Sequence, residues 1–191
     1  INKFFNMKTN NFIVSLVLLL TFAINAFLTP IYACTRVVYK GLNNVFMTAR
    51  SMDWKSEIPA NLWILPRDIK RNGEVGAHSV QWKAKYGSVV TSTWDIASAD
   101  GMNEKGLVAN MLWLGESKYP VFNPKTTKKG LAISLWAQYM LDNYGSVSEA
   151  VENFQKDGIV IVSDIIPGTD KFTTLHLSLS DATGDNAIFE Y

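Results

Sequence analysis

Apolar residues fall along this chain in runs of three kinds. From Phe12 to Leu28 they are nearly continuous, broken only by Ser15, Thr21 and Asn25. Between Ile133 and Tyr144 they recur with Trp136, Ala137, Met140 and Leu141 at helical spacing, one stripe of an amphipathic helix. Gly145 is read as its end. Ser146 and Glu149 form a capping box for a second helix, on which Val147, Ala150, Val151 and Phe154 repeat the stripe. Elsewhere the period is two. Leu175, Leu177 and Leu179 alternate with His176, Ser178 and Ser180, which predicts a strand with one polar face. Thr35–Lys40 and Val45–Ala49 are strand-prone around the turn Gly41–Asn44. The segment from Trp63 to Trp94 reads as short strands around a loop at Lys70–Gly76. A further hairpin turns at Asn103–Gly106 into a strand over Leu107–Leu114, and a turn at Asp181–Asp185 leads into Ala187–Tyr191. Strands, a helix pair and strands again predict a layered α+β architecture.

The long apolar run changes the picture of the N-terminus. Lys3 and Lys8 precede it, and Pro30 and Ile31-Tyr32-Ala33 follow it. A basic flank, a short apolar core and a small residue before the cut are the parts of a signal peptide, expected over residues 1–33. A membrane anchor is the alternative, but the run is short against the roughly 20 residues of a span and ends in proline. Met7 is a plausible start. Residues 34–191 then form a single domain, with no linker or repeat. A net charge of +1 and 48% hydrophobic residues exclude disorder and give no footprint for nucleic acid. The six tryptophans serve either core or an apolar pocket.

Processing before Cys34 would leave the chain's one cysteine at a new N-terminus. Such a cysteine carries its own base, since an α-amine titrates at about 7.7 to 8.0 and can take the thiol proton near neutral pH. The histidines are then not needed; His176 on a polar strand face and His78 in a loop read as surface residues. A cation lowers a thiol pKa, and a carboxylate orients an ammonium. Arg50 and Asp53, returned by the first hairpin, suit those two roles. The competing reading is lipidation of Cys34 at Ile31-Tyr32-Ala33-Cys34, which would leave a tethered binding module without a nucleophile. From this stretch alone both readings stand.

Four motifs go further: Cys34-Thr35-Arg36, Arg50-Ser51-Met52-Asp53-Trp54, the run Ala99–Leu107 with Gly101-Met102-Asn103-Glu104-Lys105-Gly106, and Thr173–Gly184. In order and spacing they resemble the choloylglycine hydrolase family, which holds conjugated bile acid hydrolases and penicillin V acylases. The resemblance covers Cys34 to Tyr191. It implies the αββα four-layer sandwich of N-terminal nucleophile hydrolases, here its N-terminal part, truncated on the C-terminal side. It implies hydrolysis of a linear amide through an acyl-enzyme on Cys34, with Arg50 beside the thiol and Asp53 orienting the amine. No metal or cofactor is needed; the partner is a small-molecule acyl amide, and homotetrameric assembly is the family expectation. Bile acid hydrolases carry an asparagine of the oxyanion hole where this chain has Trp113. Trp113 together with Trp54 resembles the acylases of Gram-negative bacteria, in which both aromatics contact the acyl group. That branch implies a periplasmic or secreted enzyme taking penicillin V or N-acyl homoserine lactones, with conjugated bile acids as the alternative. The asparagine and arginine that complete the family's site fall beyond Tyr191 and are not carried over.

Overall fold

The computed structural model describes residues 14–20, 34–125 and 128–191. The chain divides into two units, Ile1–Tyr32 and Ala33–Tyr191. In the first, residues 14–20 form an exposed helix, α1. Among the described residues no helix is long and apolar enough to cross a membrane. Lys3, Met7, Lys8 and the expected cut at residues 31–33 lie outside the described residues.

The second unit begins with the hairpin β1 (Thr35–Lys40) and β2 (Phe46–Ser51). Asn43 and Asn44 make its turn in left-handed conformation, which short amide side chains tolerate. Then follow β3 (Leu62–Leu65), β4 (Lys70–Asn72), β5 (Gln81–Lys83), β6 (Ser88–Thr93), β7 (Ala97–Asn103), β8 (Val108–Trp113) and β9 (Gly130–Ala132). Helices α2 (Trp136–Asn143) and α3 (Val147–Phe154) come next, and then β10 (Val160–Val162), β11 (Leu175–Ser180) and β12 (Asn186–Phe189). Six strands form an antiparallel sheet in the order β12-β11-β8-β7-β6-β3.

Register gives that sheet two different faces, because side chains alternate with period two. Gly101, Ala109 and Leu179 stand in one row across β7, β8 and β11, and Asp100, Asn110 and Ser178 in the next. The apolar row carries the helices. Trp136, Met140 and Leu141 of α2 are fully buried. The helix packs so closely that a Cβ on Gly101 would sit 2.7 Å from a Leu141 methyl. Val147, Ala150 and Phe154 of α3 are buried too, whereas Val151 of the predicted stripe is exposed.

The polar row is covered by the β1–β2 hairpin. Arg36 donates from Nε to Asn110 Oδ1 at 2.8 Å and from Nη2 to Ser180 Oγ at 2.7 Å. Thr48 and Ser180 share a hydroxyl hydrogen bond of 2.8 Å. The serines of β11 are therefore interior, although their alternation resembles that of a solvent face; Ser178 and Ser180 are 4% and 1% exposed. Helices, sheet and hairpin are three successive layers of the αββα sandwich.

Three local expectations are corrected. The predicted loop Lys70–Gly76 begins with β4, which pairs with β5. Arg71 anchors it on the buried Asp142, 2.9 Å away, which also accepts from the Trp82 indole at 2.8 Å. Gly145 does not end α2. The helix stops at an extended Tyr144, because buried Asn103 donates to the carbonyls of Leu141 and Tyr144 at 2.9 and 2.8 Å. A side chain from the β7–β8 turn thus satisfies the open carbonyls that a left-handed glycine would otherwise serve. The last strand is also shorter than predicted, ending at Phe189.

Beside Asn103, Glu104 accepts hydrogen bonds from the Arg67 guanidinium and the Gly87 N–H. The Arg67 hydrogen bond, more than the Gly87 bond, lowers its pKa from 4.5 to about 2. A carboxylate depressed by folding stabilises the native state above its unfolded pKa, and loses that contribution as pH falls through the folded one. Glu104→Gln is therefore expected to be less stable than the parent above about pH 4.5, with the gap closing toward pH 2. Urea titrations across that range check it; a gap constant with pH would show that the charge is not involved.

Candidate active site

The hairpin register builds the site. Pairing Thr35 with Ser51 and Arg36 with Arg50 brings the start of β1 beside the end of β2. Cys34, the residue before the first rung, is a free, partly buried thiol. It lines a cavity of about 220 Å³ together with Arg50, Met52, Trp54 and Trp113. The two indoles meet edge to face, with ring centroids 5.2 Å apart and planes at 61°. Four of the five predicted site residues thus share one cavity.

Asp53 is not among its lining residues and is exposed. It is tied in through a relay: Ser51 Oγ accepts the Thr35 N–H at 3.3 Å and donates to Asp53 Oδ2 at 3.0 Å. The carboxylate is one hydroxyl away from the backbone of the residue following Cys34.

Arg50 is held from below. Its guanidinium donates to the Met111 carbonyl, and its Nε lies 3.1 Å from Asp100 Oδ1. Nη1 is buried without a hydrogen-bond partner among the described residues. Burial pushes the Asp100 carboxyl above its ordinary pKa, against the pull of Arg50, Asn110 and Arg36. Burial likewise lowers Arg36, against the pull of Asp100. Two arginines and one carboxylate thus sit in the layer interface beneath the cysteine. A fixed cation there stabilises a thiolate or an oxyanion more strongly than it would in water.

The remaining walls are mainly apolar. Ile58 follows Trp54, Trp94 and Ile96 come from the β6–β7 turn, and Ile165 and Ile166 precede Pro167 after β10. Apart from the tryptophan count, no pattern in the sequence marks these residues, since they converge from separate loops. Asp100 was visible within the Ala99–Leu107 motif, but no spacing rule joins it to Arg50. Neither histidine lines the cavity. His176 is not the surface residue expected. It is partly buried, and burial lowers its pKa. Its nearest acid is Glu190, at 3.5 Å.

A cysteine at the head of a hairpin, laid on a sheet with helices behind, is the layered architecture of the N-terminal nucleophile hydrolases. The chain belongs to the linear amide C–N hydrolases of the choloylglycine hydrolase family, whose profile matches residues 34–191. It is 48% identical over 166 residues to a penicillin V acylase of Pectobacterium atrosepticum, covering 83% of this chain and 44% of the relative. A bile salt hydrolase/transferase of Clostridium perfringens is 27% identical over 165 residues, covering 82% and 47%. The solved penicillin V acylase of Agrobacterium tumefaciens superposes with a TM-score of 0.74 at 53% identity, over 82% of this chain and 46% of that one. The chain spans less than half the length of these relatives.

Proposed function

We propose that the full-length protein is an exported amidohydrolase whose leader is removed before Cys34 and which cleaves the acyl group from small linear amides. The observation that carries this is the placement of Cys34, Arg50, Trp54 and Trp113 on one largely apolar cavity. In the mechanism, the freed α-amine takes the proton from Sγ, and the sulfur attacks the amide carbonyl. The C–N bond then breaks as the ammonium returns the proton to the leaving nitrogen. A thioester remains, and water, deprotonated by the same amine, releases the acid. Asp53 orients the amine, its Ser51 link reaching the Thr35 N–H one residue further on, and Arg50 favours the thiolate. Trp54 and Trp113 take the acyl group, whose aromatic or aliphatic surface suits crossed indoles.

The similarity to the two penicillin V acylases favours penicillin V, with N-acyl homoserine lactones offering a comparable acyl chain. A periplasmic or secreted location and homotetrameric assembly belong to the same reading. The test is hydrolysis of penicillin V beside a glycine-conjugated bile acid, with intact mass of the exported full-length protein. The expected result is preferred turnover of penicillin V by a polypeptide that begins at Cys34 with a free amine. Preference for the bile acid would reassign the substrate, and diacylglycerol on Cys34 would end the enzymatic reading.

A further inference from the structure

The turn joining β6 to β7 is built against its own backbone preferences. Trp94 and Asp95 have φ of 51° and 52°, and the Ile96 N–H closes the turn on the Thr93 carbonyl at 3.0 Å. Two left-handed central residues match the tight hairpin turn that favours Asn-Gly or Gly-Gly, and a bulky aromatic there is an outlier. Such strain persists only where neighbouring structure enforces it, and it gathers at ligand sites.

The enforcing group is the Asp95 carboxylate. It accepts from the Ser92 hydroxyl at 2.6 Å, the Asn61 amide at 2.6 Å and the Trp63 indole at 3.2 Å. Backbone bonds run alongside: the Trp94 N–H donates to the Pro59 carbonyl at 2.7 Å and the Ser92 N–H to the Asn61 carbonyl at 2.8 Å. These donors, Ser92 first, hold the Asp95 carboxyl below its ordinary pKa. Asp95 therefore fastens two pieces of chain, the turn itself and the segment leading into β3. Both also wall the cavity that holds Cys34: Trp94 and Ile96 from the turn, Ile58 from the segment.

We propose that Asp95 is a positioning residue that holds Trp94 in its strained place, and that Trp94 selects for bulky or aromatic acyl groups. This rests on the amidohydrolase reading above. Neither residue has a part in the bond-breaking steps, so their effect belongs on substrate selectivity.

The experiment uses the full-length protein and the p-nitroanilides of acetic and phenylacetic acid. Trp94→Gly is expected to melt at or above the parent temperature, because glycine adopts positive φ without penalty. Its kcat/KM for the phenylacetyl substrate should fall about tenfold relative to that for the acetyl one, the scale on which an apolar pocket discriminates. Asp95→Ala should raise KM for the phenylacetyl substrate with kcat unchanged, and Asp95→Asn should restore most of it. An unchanged selectivity ratio in Trp94→Gly would overturn the proposal, as would a lower melting temperature. Asp95→Ala that melts lower with an unaltered ratio would reduce Asp95 to a structural clasp. Calorimetric binding of phenylacetate to Cys34→Ala protein, with and without Trp94→Gly, reads the same cavity without turnover. Absent hydrolysis by the parent would sink the amidohydrolase reading; equal phenylacetate affinities, or none in either protein, would sink this one.

Discussion

Cys34→Ser in the full-length protein is expected to lose at least about a thousandfold in amide turnover, the scale on which removing a nucleophile falls, while its unfolding midpoint stays where it was. The hydroxyl keeps the geometry, but a neighbouring amine of pKa near 8 is a weak base for an alcohol, whereas it nearly matches a thiol. Stability should be unmoved, because Cys34 precedes the first rung of the β1–β2 ladder and is only partly buried. Steady-state rates together with denaturant titration make the comparison. Turnover within tenfold of the parent would remove Cys34 from the chemistry; a large fall in stability would mean that the loss of rate is a folding effect.

The second large effect is expected at Asp100, and it concerns stability. The Arg50 and Asp100 side chains are only 9% and 19% exposed, and Arg36 also feels the same carboxylate. Removing one partner of a buried pair leaves the other desolvated and unmatched, which destabilises by about 3 to 5 kcal/mol. Asp100→Ala should fall toward the lower end of that range, since Arg36 and Arg50 keep Asn110, Ser180 and the Met111 carbonyl as acceptors. The direction of the Asp100 shift adds a second arm. Burial outweighs the arginines' pull on that carboxyl, so the carboxylate is held charged at some cost. Replacing both Arg50 and Asp100 by apolar residues of similar size is thus expected to be milder than Asp100→Ala alone. Chemical denaturation of the single and double variants measures the difference. A double variant less stable than the single would show that the ion pair itself stabilises the layer interface.

Much of this arrangement was legible because it obeys local rules. The stripe from Ile133 to Tyr144 predicted the helix that covers the sheet, and the capping pair at Ser146 and Glu149 predicted where the next begins; Ser146 Oγ accepts the Glu149 N–H at 3.2 Å. The strands flanking Gly41–Asn44 predicted the hairpin that returns Arg50 to Cys34. What was hidden depends on partners distant in sequence. The alternation of Ser178 and Ser180 is the same whether a strand face meets water or a row of arginine donors. Gly145 looked like a helix stop because nothing local shows that Asn103, about forty residues earlier, serves the open carbonyls. Trp94 carries no local sign of its place on the cavity wall, since a tryptophan at a left-handed turn position contradicts turn propensity; the bonds of Asp95 to Asn61, Trp63 and Ser92 and of the Trp94 N–H to Pro59 hold the turn. Asp53, expected to orient the amine, is exposed and off the cavity wall. Its link through Ser51 is a matter of register, set once Thr35 pairs with Ser51.

The ladder's first rung joins Thr35 to Ser51, so Cys34, which the proposed cleavage would free, precedes the β1–β2 pairing. On the proposed reading, freeing Cys34 costs none of the β1–β2 pairs. The proposed cut would be exacting by a single residue: one position early caps the amine with an extra amide, and one position late discards the sulfur. A chain cut at either wrong position would keep every β1–β2 rung, so on this reading the fidelity of the terminus rests with the protease rather than with the hairpin.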